Sequence, residues 1–179
     1  MKLRKIVALV TVVVIITSLG VGCVMSPYEI AEANSTEPIP VAGLYFVTET
    51  TTGVQHLVTL WEDGNFQGIS SEQEGGVPEY NPFSDQVGTW EQTGPREITA
   101  KVVDITYNRD PMTLFGFGVV RYVLTFDETF ETVTGVLEGG VIGPEDEPHN
   151  LDAEFLFTFD APLEGERVSI EFPEQFPNH

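Results

Sequence analysis

One cysteine, three histidines and eight lysines and arginines in 179 residues leave little room for several kinds of chemistry. A lone Cys23 makes neither an internal disulfide nor a thiolate zinc site. It also leaves no thiol nucleophile in the body of the chain. The sequence contains no G-x-S-x-G, no H-E-x-x-H, no phosphate loop and no dinucleotide fingerprint. Gly116-Phe117-Gly118 lacks the third glycine and falls within a strand pattern, so it reads as a packing feature. The few basic residues face 28 acidic ones, giving a formal charge of −20. Phosphate binding needs clustered Lys and Arg, so nucleic acid is excluded as a partner. Beyond residue 42 no stretch of ten residues keeps a 3.6-residue apolar period, which excludes a helical core.

What is present begins at the N-terminus. Lys2, Arg4 and Lys5 precede an apolar run over residues 6–19, and Gly20-Val21-Gly22-Cys23 follows. A cationic start, an apolar stretch and small residues at its end are the layout of a bacterial export signal. Leu19-Gly20-Val21-Gly22-Cys23 resembles a lipobox, although the aliphatic residue lies one place further back than usual. That resemblance implies a lipoprotein in which residues 1–22 are removed and Cys23 is diacylated. Two other readings stay open. Ala31-Glu32-Ala33 is an A-x-A site for an ordinary signal peptidase, giving a secreted form that starts at Asn34. Residues 6–25 would also span a bilayer uncleaved, at about 1.5 Å of helix per residue.

Residues 1–22 hold three of the basic residues and none of the acidic ones, so the remainder carries −23. An anionic bilayer repels such a domain, and any membrane attachment must come through the N-terminal anchor alone. Residues 23–41 mix Pro, Ser, Glu and Ala without periodicity and read as a flexible tether. Residues 42–179 form one domain, in which twelve Phe and well-spread charge argue for a folded core. The expected location is extracytoplasmic, in the cell envelope. No cofactor is implied, and the oligomeric state is left open.

Short alternating runs fill the domain. Strands are expected at 44–50, 54–61, 66–69, 87–91, 98–107, 114–126, 130–142 and 153–159, with an edge segment at 167–172. Asp63-Gly64 predicts a type I′ hairpin turn with positive φ at both residues. Residues 70–86 are rich in Gly, Pro, Ser and acid, long enough for a flap at a barrel mouth. Residues 143–150, with Glu145, Asp146, Glu147 and His149, read as a solvated acidic loop rather than a calcium site. The fold class is all-β: eight sequential strands joined by hairpins suit an antiparallel up-and-down barrel, because closure removes exposed edges.

The opening Gly43-Leu44-Tyr45, the eight-strand meander and the size resemble the calycin group of lipocalin-like barrels. They also resemble barrels of the allene oxide cyclase type. The resemblance covers about residues 43–159 and implies an apolar interior. It transfers no functional residue, since Tyr45 stands where lipocalins carry Trp and the disulfide pair is missing.

Alternation in each strand assigns the lumen. Inward residues are His56, Val58 and Leu60; Ile98, Ala100, Val102, Asp104 and Thr106; Val120, Tyr122, Leu124 and Phe126; Val133, Leu137 and Val141; and Phe155 and Phe157. His56, Asp104 and Tyr122 intrude as polar groups on an aromatic wall. With Phe126, Phe155 and Phe157 they make the candidate site for a small apolar molecule. A binding module is the leading expectation. A cyclase or isomerase acting on a lipid-like substrate, or a non-catalytic surface-interaction protein, are the alternatives.

Overall fold

The computed structural model describes residues 40–76, 81–150 and 152–169, all within one compact unit, Thr36–His179. Cys23, the export segment and the tether lie outside the described residues. Eight strands form in chain order: β1 Gly43–Glu49, β2 Gln55–Leu60, β3 Asn65–Ser70, β4 Gln86–Gly94, β5 Glu97–Tyr107, β6 Leu114–Phe126, β7 Thr132–Ile142 and β8 Phe155–Arg167. Each pairs antiparallel with the next, and β1 also pairs with β8, from Tyr45 opposite Arg167 to Glu49 opposite Leu163. The sheet is therefore a closed barrel. No helix interrupts it among the described residues, and none there is long and apolar enough to cross a membrane.

Two-residue alternation builds the core. Along β5, Ile98, Ala100, Val102, Asp104 and Thr106 are buried, while Lys101 and Ile105 are exposed between them. β6 repeats this with Val120, Tyr122, Leu124 and Phe126. The same order holds for His56, Val58 and Leu60, and for Val133, Leu137 and Val141. Burying an aliphatic or aromatic side chain of this size contributes about 1.5–3 kcal/mol, which fixes the register of each strand.

Three local expectations are corrected. The Asp63-Gly64 turn is not type I′, because only Gly64 has positive φ there, at 84°. Gly64 N–H donates to the Trp61 carbonyl and Trp61 N–H to that of Asn65, a three-residue loop ending on a left-handed glycine. The Asp63 carboxylate stabilises it by accepting from the Asn65 backbone and side chain. β7 starts at Thr132 rather than at 130, since Phe130 occupies the left-handed region with φ 61°. β8 runs on to Arg167 instead of ending at 159. Asp160, Pro162, Glu164 and Gly165 look like loop residues, but the closing strand tolerates them. The Pro162 carbonyl accepts from Thr50 N–H, so its ring nitrogen faces the side where β1 has already ended. No ladder bond is lost there.

The two barrel ends differ. At one end Val41, Tyr45, Trp90, Phe126 and Phe130 pack as a plug. Tyr45 and Phe126 rings lie 5.2 Å apart, and Phe126 and Phe130 6.2 Å. At the other end β8 runs past β1: residues from Phe155 to Ala161 pair with β7 alone. That end is open.

Candidate functional site

The open end leads into a cavity of about 380 Å³. Its wall takes residues from the ends of β1 (Glu49) and β3 (Ser70) and the starts of β2 (His56) and β4 (Gln86). Asp104 and Thr106 of β5, Gly118 and Tyr122 of β6, and Leu137 and Val141 of β7 form the far side. Phe157, Phe159 and Ala161 of β8 complete the wall. The 71–85 segment adds Glu72, Asn81 and Phe83. Backbone bonds place those three: Phe83 N–H donates to the Gln73 carbonyl, Tyr107 N–H to that of Pro82 and Ser84 N–H to that of Ile105. Gln73 Nε2 also donates to Asp85 Oδ1 at 2.6 Å.

A buried hydrogen-bond chain spans part of the wall. Tyr122 Oη donates to Gln86 Oε1 at 2.6 Å, and Gln86 Nε2 donates to Asp104 Oδ2 at 3.4 Å. Thr106 Oγ1 donates to Asp104 Oδ1 at 3.0 Å, and the Gly118 backbone N–H donates to the same carboxylate. Burial raises the Asp104 pKa above the ordinary carboxylate value, against the pull of those donors. Burial also raises the Tyr122 phenol, with the nearby negative charges of Glu49 and Asp104 adding to it. Tyr122 thus stays a neutral donor.

On the other side, His56 Nε2 lies 3.0 Å from Glu49 Oε1, and Thr52 Oγ1 donates to Glu49 Oε2. Burial alone would lift the Glu49 pKa, but the His56 and Thr52 bonds and the imidazole charge outweigh it and hold it low. An ionised Glu49 keeps the proton on Nε2. The other ring nitrogen, Nδ1, is buried without a hydrogen-bond partner, as is Glu72 Oε2. Buried polar atoms are rarely left so.

His56, Asp104, Tyr122 and Phe157, named from strand parity, therefore share one cavity. They do not bond directly: Gln86 stands between Tyr122 and Asp104, and His56 turns to Glu49. Phe126 is not on the wall; it belongs to the plug at the closed end. Phe155 is about half exposed and also off the cavity wall. Val141 pairs with Phe157 and Ile142 with Phe155, so the bulge at Leu156 breaks the β7–β8 register between the two phenylalanines and simple alternation does not carry from one to the other. The expected apolar lumen is also more polar than parity implied, through Glu49, Ser70, Glu72 and Gln86. Glu49 and Gln86 were legible, since the alternations Tyr45, Val47, Glu49 and Trp90, Gly88, Gln86 reach them. Glu72 and Phe83 carry no periodic signal. The acidic loop 143–150 stands apart, with His149 paired to Glu147 in solvent.

Gly118 seats the carboxylate. A Cβ there would stand 2.3 Å from Asp104 Oδ2. Gly118→Ala is expected to cost about 1–3 kcal/mol by overpacking. In the Asp104→Ala background the same change should cost at least about 1 kcal/mol less. Urea denaturation of the four proteins measures this coupling; strictly additive effects refute the steric account.

No protein-family model matches the chain, and neither a curated protein nor a solved structure does. The chemistry of the site thus rests on its own residues.

Proposed function

We propose that the protein is a lipid-anchored, calycin-like binding barrel that holds a small apolar molecule at the cell envelope. The observation that carries the reading is the one-ended cavity: about 380 Å³ of space above a solid plug, within the range of small-molecule sites. Apolar walls from Leu137, Val141, Phe83 and Phe157 supply contact area, and the fixed polar groups supply orientation. The lipobox-like segment ending at Cys23 supports the location.

Binding is favoured over isomerase or cyclase chemistry by how the polar groups are occupied. The Tyr122 hydroxyl proton is given to Gln86, and both Asp104 oxygens already accept bonds. A catalytic acid and base must converge on one substrate, but Asp104 and Tyr122 are spent on each other through Gln86 while His56 turns through Nε2 to Glu49, so the three do not converge. A cavity of this size also separates the barrel from a solid-cored surface-interaction protein.

Native mass spectrometry of the full-length protein from its own cell extract tests the reading. A discrete added mass, released on unfolding, is expected. Ala161 lies on the cavity wall and is buried, so Ala161→Leu should diminish that occupancy by filling space. Protein that emerges empty and takes up no apolar probe overturns the proposal.

A further inference from the structure

We propose that the cavity selects apolar molecules carrying a protonated nitrogen, an amine or a related cation, and rejects apolar carboxylates. This rests on the binding reading above and specifies its ligand class. Among the described lining residues, Glu49, Glu72, Asp104 and Asp160 are acidic, and no lysine or arginine joins them. The only other titratable base there, His56, is engaged through Nε2 with Glu49.

Acidity alone would be a weak argument, since the whole chain is acidic. The second observation is unfilled hydrogen-bonding capacity on the same wall. His56 is 95% buried and its Nδ1 has no partner. With Nε2 engaged by Glu49, Nδ1 is the ring nitrogen left open to a ligand. Glu72 Oε2 is likewise buried without a partner, and a carboxylate oxygen only accepts. The Glu72 position wants a donor. An ammonium group brings up to three N–H donors and a positive charge; a carboxylate brings neither and adds like-charge repulsion. Phe83, Phe157 and Phe159 offer aromatic faces on which a cation is also favourably held. The net charge of −20 raises the local concentration of cations and depletes anions.

Octylamine, octanol and octanoate separate the terms, because the three share one apolar tail. Calorimetric titration of the full-length protein at neutral pH should rank them amine, alcohol, carboxylate. We expect the amine to bind at least about 30-fold more tightly than the carboxylate. Glu72→Gln should shrink that ratio several-fold, whereas Glu91→Gln, an exposed acid off the cavity, should leave it unchanged. Equal binding of octanoate and octylamine overturns the charge selection while leaving the binding reading intact. A ratio that falls equally in both variants also overturns it, because bulk charge then explains the preference. If none of the three binds, the binding reading itself fails.

Discussion

Arg167→Ala is expected to lower the unfolding free energy by about 3 kcal/mol, the largest loss for any single polar side chain in the barrel. Arg167 ends β8 and closes the plug. Its Nε donates to the Phe130 carbonyl at 3.1 Å and Nη1 to the Ala42 carbonyl at 3.1 Å. Nη2 donates to the Pro40 carbonyl and to Tyr45 Oη, the latter at 2.8 Å. The guanidinium carbon also sits 5.1 Å from the centre of the Tyr45 ring. Hydrogen bonds from a charged donor contribute about 1.5–3 kcal/mol, and a cation on an aromatic face about 0.5–2. These are not additive, since all are lost together. One bond has a further role: Phe130 lies in the left-handed region, which disfavours a side chain, and the Arg167 bond to its carbonyl helps hold it there. A loss of this size should lower Tm by about 10 °C in a domain of this length. Arg167→Lys should recover under half of it, because an ammonium with three donors cannot fork to four acceptors. Urea melts of the three proteins measure the effect. A loss below about 1 kcal/mol would mean the plug is held by Tyr45, Phe126 and Phe130 alone.

Arg167 also marks where the sequence stops being informative. Strands with one buried face announce themselves: β6 occupies the range that its alternation predicts, the buried sets of β5 and β7 follow from placing Lys101 and Glu138 outward, and that of β2 from placing Gln55 and Thr59 outward. β8 breaks that rule for a physical reason. Its first half pairs with β7 only and is exposed on both faces, so apolar and polar residues need not alternate there. Its second half pairs with both β1 and β7, and there close backbone approach rather than alternation selects the residue. Gly165 lies under the Phe46 carbonyl, where a Cβ would come within 2.4 Å. The candidate site divides in the same way. Asp104 and Tyr122 within their strands, and His56 at the start of β2, are readable because each continues a face that is otherwise apolar. Gln86 and Glu49 sit at strand ends, where the next residue decides whether alternation continues. Glu72, Asn81 and Phe83 reach the wall through a segment stitched to β5 by backbone bonds, and no side-chain pattern encodes such bonds.

On the proposed lipid-anchor reading, Cys23→Ser is expected to abolish lipid attachment altogether. The expectation follows from the lipobox-like tail Leu19-Gly20-Val21-Gly22-Cys23, whose thiol would carry the acyl chains. Each buried CH₂ contributes roughly 0.8 kcal/mol, and more than one chain makes attachment stable. The charge of −23 beyond residue 22 works against contact with an anionic surface, so nothing else in the domain would replace the anchor. Serine lacks the thiol on which the acyl chains would be mounted and leaves the leader in place, so the variant should accumulate as a longer precursor. The competing readings give different masses. An uncleaved apolar anchor over residues 6–25 starts at Met1 in both proteins, because serine scarcely alters the hydropathy of the span. Cleavage after Ala31-Glu32-Ala33 gives Asn34 as the first residue in both. Fatty-acid labelling beside intact-mass measurement separates all three outcomes. A labelled wild type that begins at Cys23, together with an unlabelled Cys23→Ser precursor, is the expected pair. An unlabelled wild type starting at Met1 or Asn34 would remove the lipid anchor and, with it, the proposed means of holding this acidic barrel at a membrane.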